Sequence, residues 1–331
     1  MRERSHKKAR GIVGGAVSAA VIACFVICGR ILWVGGEYLP GQWRGAWLST
    51  FIAFAFSLLI FPFLAAVSNI VFSGEKRGSM LQRAVRFAVL IAVCSAAVFV
   101  IFEALSDGSG FARDVMGMTA DERMIAAFLL LTAAYVAALG DRAIGKFSLT
   151  ALAITVIVAA VLCLLSLNRG GRAIESIDLM LSPEAFREVS EGEGIKLSFL
   201  KVFAPCVVGA VWLSVTNKDG NTVWHAISRT LGGIAVGGAV LVSGFVTVVL
   251  SQGLAFASGK AYPYVSAAGS MTAGKLFMRP EGAVYLAYLA VLFSVLAVSL
   301  SLISRAVDGG RSKRIPYAAA AVILILFIFI R

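Results

Sequence analysis

The first candidate for chemistry in this chain of 331 residues is Arg30. It follows Cys28 and Gly29 within an otherwise apolar, glycine-rich stretch. A guanidinium inside a membrane span costs roughly 2.5–3.5 kcal/mol on insertion scales, so such a residue is a functional candidate by default. The alternative is that the long side chain reaches the outer headgroups or pairs with Glu37. The position of Arg30 alone leaves both interpretations open.

The second candidate is Lys201, which lies in the apolar stretch Leu197–Cys206 and is followed by a proline. Pro205 has no amide hydrogen, and its ring clashes with the carbonyl four residues earlier, which belongs to Lys201. We expect this proline to open the helix backbone near Lys201, and broken helices free backbone groups that can coordinate a ligand. The alternative is that the Lys201 ammonium reaches the membrane surface.

Three other sets of residues in the apolar stretches are predicted to have structural roles. Glu103 is expected at the membrane interface, with pairing to Arg30 as the alternative. Glycines at helical spacing let neighbouring helices approach closely, which predicts packing rather than ligand binding for Gly232, Gly233, Gly237, Gly238 and Gly244. Buried cysteines behave as small hydrophobes, so we expect no disulfide among Cys24, Cys28, Cys94, Cys163 and Cys206.

The composition excludes several classes of protein. Hydrophobic residues make up 59% of the chain and charged residues 15%, whereas soluble domains have about 45–50% and about 25%. The two histidines, His6 and His225, leave almost nothing for a zinc site or a histidine-based hydrolase. We therefore expect a membrane protein that is not an enzyme and that uses no metal and no cofactor.

The elements that must position Arg30 and Lys201 are membrane-spanning helices, each of about 20 mostly apolar residues. Nine stretches meet or nearly meet this requirement: 11–36, 46–73, 86–106, 123–140, 147–168, 197–215, 229–251, 281–304 and 315–330. The sequence therefore predicts an all-α polytopic membrane protein with about nine transmembrane helices. All of them belong to a single transmembrane domain, 1–331.

The net charge of +12 could suggest a nucleic-acid partner, but its distribution along the chain gives another explanation. If the N-terminus is cytoplasmic, the cytoplasmic segments carry 17 basic and five acidic residues, and the rest of the chain carries 13 of each. Such an excess is the usual mark of cytoplasmic loops. We therefore predict a multi-pass protein of the bacterial cytoplasmic membrane, with its N-terminus inside and its C-terminus outside. Its partner is the lipid bilayer and not nucleic acid. The cytoplasmic segments are 1–10, 74–86, 140–146, 216–229 and 305–314.

Three long segments are predicted to lie outside the membrane, at 107–122, 169–196 and 252–280. The second is rich in acidic residues and contains Ser182-Pro183, a good N-cap followed by proline at the first helical position. This pair predicts a short amphipathic helix. A solvated outer flap is the favoured interpretation of the segment, and a surface that recruits ligand is the alternative.

Three stretches, in order along the chain, resemble the spore-germination permeases, which are the B-type subunits of bacterial germinant receptors. Cys28–Leu32 followed by Gly41–Ser49 is similar to the glycine-rich break of the family's helix one and the tryptophan-containing entry to its helix two. Leu130–Ile144 resembles the end of helix four and its tight inner turn. Tyr262–Tyr264 followed by Gly274–Glu281 is similar to the segment before helix eight. The shared order of these motifs carries the resemblance.

The resemblance implies the inverted-repeat, LeuT-type fold of the amino acid–polyamine–organocation transporter superfamily. In this fold two five-helix repeats hold the ligand between broken helices one and six. The first repeat would span 11–168 and the second, incomplete repeat 197–331, with the outer loop 169–196 between them. Carried over to this chain, the ligand site comprises Cys28, Gly29, Arg30, Lys201, Phe203, Ala204 and Pro205.

The chain also departs from the family's pattern. Arg30 stands where the family has a glycine, and Gly35 stands where it has a proline. No acidic residue matches the one often found at the helix-six break, where Lys201 is the nearest charge. We expect the tenth helix to be missing, since the chain ends after nine spans. A guanidinium in the site could replace a coupling cation or meet a carboxylate ligand.

The resemblance favours a permease-like membrane subunit that binds a small, amino acid-like ligand and signals through other germinant-receptor subunits. The first alternative is a secondary transporter of amino acids, either proton-coupled or facilitative. The second is a non-transporting membrane scaffold. If the protein acts in spore germination, the membrane that contains it is the inner membrane of the spore.

Overall fold

A computed structural model describes most of the chain, and every secondary-structure element in the described ranges is helical. The described residues are 15–29, 31, 44–73, 80–115, 117, 121–167, 173–190, 192–216, 223–253, 255, 257, 260–271, 280–308 and 312–330. The helices are α1 Gly15–Cys28, α2 Ala46–Ser73, α3 Met80–Asp114, α4 Glu122–Ala138, α5 Asp141–Leu167, α6 Ala173–Met180, α7 Pro183–Ser190, α8 Glu193–Ser198, α9 Cys206–Thr216, α10 Val223–Gln252, α11 Pro263–Ser270, α12 Glu281–Asp308 and α13 Ile315–Ile330. A π-helical turn, Phe199–Phe203, joins α8 to α9.

Six helical segments in the described ranges are long and apolar enough to cross a membrane. They are α2, α3, α5, α10, α12 and the continuous segment Glu193–Thr216, which contains α8, the π-helical turn and α9. The predicted all-helical, multi-pass membrane protein is therefore confirmed at this level. The other three predicted spans, 11–36, 123–140 and 315–330, correspond to the shorter helices α1, α4 and α13.

Burial divides these helices into a central group and a peripheral group. All residues of α1 from Ala20 to Cys28 are buried, and so is most of α12. A helix that is apolar and buried on all sides belongs to the interior of a bundle. Large apolar side chains of the peripheral helices are exposed instead, for example Leu59 and Phe63 in α2 and Leu164 in α5. Exposed apolar surface of this extent is typical of a face that contacts lipid.

The order of contacts relates the first half of the bundle to the second half. Counting the predicted spans in order, the first span contacts the sixth, the second contacts the seventh, the third contacts the eighth and the fourth contacts the ninth. In helix labels the pairs are α1 with α9, α2 with α10, α3 with α12, and α4 with α13. Each of the first four spans therefore contacts the span five positions later.

The glycines of α10 allow it to pack closely against α1 and α2. A Cβ atom on Gly233 would lie 2.5 Å from the Cβ of Ile22, and one on Gly238 would lie 2.5 Å from Cε2 of Phe54. Real Cβ atoms do not approach other atoms so closely. The packing role predicted for these glycines is confirmed at Gly233 and Gly238, and also at Gly237, where a Cβ atom would lie 2.7 Å from the Cβ of Val26.

The third span is longer than the sequence predicts. The residues 107–122 were expected to form an outer connection, but α3 continues through Asp114. Phe111 and Ala112 in this extension are buried. Burial of these side chains against the bundle outweighs the low helix propensity of the Ser-Asp-Gly-Ser-Gly sequence before them.

The amphipathic helix predicted after Ser182 is present as α7, with the Ser182 hydroxyl accepting a hydrogen bond from the amide of Ala185 at 3.3 Å. This helix is not solvated on all sides. Ala185 is buried, and the Glu188 carboxylate accepts a hydrogen bond from the amide of Gly45 at 2.6 Å, just before α2 begins. The negative charge of Glu188 lies at the positive end of the α2 dipole, which stabilises the contact. One face of α7 is therefore docked on the transmembrane bundle.

Candidate functional site

The first and sixth spans both change their backbone at the same level of the bundle. The helix α1 ends at Cys28, and Gly29 forms a turn after it. In the sixth span the amide of Ala204 donates to the carbonyl of Phe199 at 2.8 Å, which is the five-residue spacing of a π-helix. Turns of this kind are rare and are often found at functional sites. We name the end of the bundle where α1 ends the upper end, and the end where α5 begins the lower end.

The two interruptions are in direct contact through Gly29 and the main chain of Lys201. A Cβ atom on Gly29 would overlap the main-chain oxygen of Lys201 and would lie 3.2 Å from its carbonyl carbon. Pro205 cannot donate an amide hydrogen to this carbonyl as a regular α-helix would require. Gly29 in the first span and Pro205 in the sixth are therefore complementary. Pro205 leaves the Lys201 carbonyl without its helical donor, and the absence of a side chain on Gly29 provides the space for that carbonyl.

A small cavity of about 40 Å³ lies beside this contact. Its walls come from α1, α3, the sixth span and α12, so four different spans contribute to it. The polar side chains that line it are Cys28, Glu103, Asp107 and Lys201. The apolar part of the wall is formed by Phe25, Phe99, Val100, Ala104, Leu200 and Val295, together with Gly29 and Pro205.

An ion pair crosses this cavity from the sixth span to the third. Lys201 Nζ lies 3.4 Å from Glu103 Oε2, and each of the two side chains is 39% exposed. Asp107 lies four residues after Glu103 in α3, so both carboxylates project from the same face of the helix. Charges in a site from which water is partly excluded interact more strongly than they would in bulk water. The cavity therefore presents one cationic and two anionic groups within a mainly apolar wall.

The structure brings together four of the seven residues predicted for the ligand site. Cys28, Gly29, Lys201 and Pro205 all line the cavity. Phe203 and Ala204 belong to the same interrupted segment but do not line the cavity.

The two residues outside the wall have structural contacts instead. Phe203 is buried, and its ring packs against that of Phe54 with centroids 6.0 Å apart. The amide of Ala204 closes the π-helical turn. Arg30, the remaining predicted site residue, lies outside the described residues, and its ligand role stays a prediction.

Two acidic residues that line the cavity were not predicted as site residues. Glu103 was expected at the membrane interface or as a partner of Arg30; the structure pairs it with Lys201, while Arg30 lies outside the described residues and that pairing stays a prediction. Asp107 was placed in an outer connection, whereas it lies inside α3. The four-residue spacing of these two carboxylates was the available signal, since it places both on one helix face.

An aromatic cluster closes the bundle above the cavity. The buried ring of Phe111, one turn after Asp107 in α3, makes edge-to-face contacts with Tyr262, Tyr285 and Tyr288 at centroid distances of 5.4, 5.5 and 5.0 Å. Such contacts add to the stability gained from burial alone. Burial and the nearby carboxylates of Asp114 and Asp107 raise the pKa of the Tyr262 phenol, so it stays protonated over the physiological range.

A polar network closes the lower end of the bundle. The buried indole of Trp212 donates to Ser301 at 3.1 Å, and Ser301 donates to the Asp141 carboxylate at 3.2 Å. The guanidinium of Arg305 forms an ion pair with the same carboxylate and adds a hydrogen bond from Nε at 3.3 Å. The network links the sixth span to the eighth and to the start of the fifth, so the cavity has packed structure both above and below it.

No protein-family model matches the chain, and no curated protein matches it at a significant level.

Proposed function

We propose that this chain is a permease-like membrane protein that binds a small, amino acid-like ligand between its first and sixth spans. The cavity at the Gly29–Lys201 contact carries the proposal, because it lies where both spans are interrupted and it is lined by charges of both signs. Ligand sites in transporters of this kind lie at such interruptions, with polar groups provided by broken helices.

The contacts between helices support the finer part of the proposal, which concerns the fold. We propose the inverted-repeat, LeuT-type arrangement, with 11–168 and 197–331 as its two units. Two related five-helix units would place each span beside its counterpart, and the contacts of the first four spans with the sixth to ninth follow that order. The tenth helix has no counterpart among the described residues, which end at 330.

The biological role proposed for this site is that of the permease-like subunit of a germinant receptor. This part rests on the sequence motifs alone, and it requires partner subunits that pass on the signal of ligand binding. We also propose that the lower end of the bundle, where α5 begins at Asp141, faces the cytoplasm of a bacterium, because the segments predicted to be cytoplasmic contain the excess of lysine and arginine.

Secondary transport of an amino acid is the second candidate, and the closures on either side of the cavity favour it. The aromatic cluster around Phe111 lies above the cavity, and the network between Trp212 and Asp141 lies below it. Alternating access requires a site that can open to either side in turn, so a separate closure at each end is the structure that a transporter needs.

Reconstituted vesicles distinguish these candidates. The full-length protein is placed in liposomes, and binding and uptake of a panel of radiolabelled amino acids are measured with and without a proton gradient. Saturable binding without accumulation would support the receptor subunit, whereas accumulation inside the vesicles would support the transporter. If a folded protein showed neither binding nor uptake for any member of the panel, the proposal of an amino acid ligand would be wrong and the scaffold would remain.

A further inference from the structure

We infer that a transmembrane helix of a partner protein binds this chain in a lateral opening between its second, third and sixth spans. The lateral opening is defined by Phe99 and Glu103 of α3 and by Leu200 and Lys201 of the sixth span, which line the cavity and are all partly exposed. The inference rests on the repeat arrangement proposed above, and it gives the partner subunits of that proposal a defined place to bind.

The contacts between helices relate the lateral opening to a position that α5 fills in the other half of the bundle. The first span packs against the seventh and the eighth, and the sixth span packs against the second and the third. These two sets of contacts are exchanged when each span is replaced by the one five positions away. Since α5 packs against the first, seventh and eighth spans, the counterpart of its position lies beside the sixth, second and third spans.

The described residues leave this counterpart position empty. Among the described helices, none packs on the second, third and sixth spans as α5 packs on the other three. Phe99 and Leu200 are therefore 46% and 50% exposed at the lateral opening. The longest stretch outside the described residues, 1–14, has 14 residues, whereas a membrane span needs about 20. No undescribed stretch of the 331 residues is long enough to fill the position.

The depth of the lateral opening makes lipid an unfavourable neighbour for it. Val295, which lines the same cavity, lies at the middle of α12, Glu281–Asp308. A helix of 28 residues is about 42 Å long. The hydrocarbon core is about 30 Å thick, so the midpoint of α12 lies inside it. Lys201 and Glu103 are partly exposed at this level. Charged side chains that face lipid at such a depth are costly, which favours an occupant with polar groups of its own.

The buried face of α5 indicates the chemistry of a helix that fits such a position. It consists mainly of small and hydroxyl-bearing residues, among them Gly145, Ser148, Ala151, Thr155 and Ala159. The Ser148 hydroxyl forms a hydrogen bond of 2.6 Å with that of Ser294 in α12. Small residues let helices approach closely, and hydroxyls supply hydrogen bonds between them. We expect the partner's helix to carry small residues at three- or four-residue spacing, with a polar side chain level with Lys201 and Glu103.

A second copy of this chain fits the lateral opening less well than a different protein does. The faces that the bundle exposes carry large apolar side chains, such as those of Leu59, Phe128 and Leu164. Side chains of this kind would cover the Lys201–Glu103 ion pair without offering it a polar partner. The occupant we propose is therefore a helix of different sequence.

Site-specific photo-crosslinking of the full-length protein in the membranes of its native cell tests the inference. The photoreactive residue p-benzoylphenylalanine replaces Phe99 or Leu200 at the lateral opening, or Phe128 or Leu164 as matched controls that are also large, apolar and exposed. We expect both opening positions to cross-link one protein through peptides of a single apolar helix with the small and polar face described above, and the controls not to do so. Cross-links to peptides of this chain, to segments outside a transmembrane helix or to lipid alone would overturn the inference, as would equal yields from the controls.

Replacing the ion pair tests whether it takes part in recognition. The double variant Lys201→Met, Glu103→Leu exchanges both charges for apolar side chains, a change that proteins often tolerate without loss of stability. We expect the cross-link from position 99 to fall about threefold or more, because hydrogen bonds between helices are lost. The control is Lys196→Met, Glu193→Leu, which removes an exposed ion pair in α8 and should leave the yield unchanged. Equal yields from the two double variants would show that the ion pair does not contact the partner.

The cross-linking measurement separates this inference from the proposed ligand, since it is made without any added amino acid. A protein that cross-links to its partner but binds no amino acid would contradict the proposed function and leave the inference intact. A protein that binds an amino acid but cross-links to no partner helix would overturn the inference and leave the proposed ligand intact.

Discussion

The main-chain carbonyl of Lys201 lies in the space that a side chain on Gly29 would occupy. This contact joins the end of α1 to the π-helical turn of the sixth span, and Pro205 explains why the carbonyl lacks its usual helical donor. The same three residues line the cavity. The packing of the two interrupted spans and the shape of the candidate site therefore both depend on the close approach of Gly29 to the Lys201 carbonyl.

Replacing Gly29 with alanine is expected to destabilise the protein by about 1–3 kcal/mol, the usual cost of overpacking a tight interior. The added methyl group would overlap backbone atoms of Lys201, which cannot rotate away as a side chain would. Thermal unfolding in detergent, followed by tryptophan fluorescence, measures the change as a lower midpoint for Gly29→Ala.

The control for this change is Gly15→Ala at the start of the same helix, where a Cβ atom would meet nothing within 4 Å. Alanine is a better helix former than glycine by about 1 kcal/mol, so this variant should be neutral or slightly stabilised. Equal midpoints for the two variants would show that the Gly29–Lys201 contact does not restrain the bundle.

The interruptions could be predicted from the sequence because their signals are local. A glycine, a proline and a lysine within apolar stretches mark a break whatever surrounds them, and Gly29, Lys201 and Pro205 were identified in this way. The partner of Lys201 could not be predicted because Glu103 is distant in sequence, and only the packing of α3 brings it near. The extension of α3 to Asp114 was missed for the same reason, since burial of Phe111 decides it.

The close packing of α10 on α1 gives a second prediction. Gly233→Ala would place a methyl group 2.5 Å from Ile22 Cβ and 2.7 Å from the backbone oxygen of Ala19. We expect a loss of about 1–3 kcal/mol, seen as a lower unfolding midpoint. Gly282→Ala, at the start of α12 with nothing within 4 Å of the added atom, should show no such loss. A Gly233 variant as stable as the Gly282 variant would mean that the two helices can move apart without cost.

The network at the lower end gives a third prediction. Asp141→Asn removes the charge that Arg305 contacts and weakens the bond accepted from Ser301. We expect a loss of about 1–3 kcal/mol, because a partly buried guanidinium is left without its anion. The unfolding midpoint measures this loss, and the buried indole of Trp212 gives a fluorescence signal close to the change.

The matched control for the network is Asp178→Asn, which neutralises an exposed aspartate in α6. Substitutions at exposed positions usually change stability by less than about 0.5 kcal/mol. If Asp141→Asn were as mild as Asp178→Asn, the network would not contribute to closure of the lower end.

The docking of α7 on the start of α2 gives a fourth prediction. Glu188→Gln removes the negative charge beside the Gly45 amide and should cost about 0.3–1 kcal/mol. Hydrogen–deuterium exchange should then become faster in the first turn of α2. Glu184→Gln alters an exposed acid in the same helix and should leave exchange in α2 unchanged. Unchanged exchange in both variants would show that α7 does not stabilise this helix end.

The most direct test of the central claim is saturation binding of a radiolabelled small amino acid to the protein in nanodiscs. Binding is compared among the unmodified protein, Lys201→Met and Lys196→Met. Lys196 lies in α8 and Lys201 lies five positions later in the π-helical turn, and of the two only Lys201 lines the cavity. The account predicts saturable binding that falls about tenfold or more in Lys201→Met and is unchanged in Lys196→Met. Equal binding by all three proteins, or no saturable binding by the unmodified protein, would contradict it.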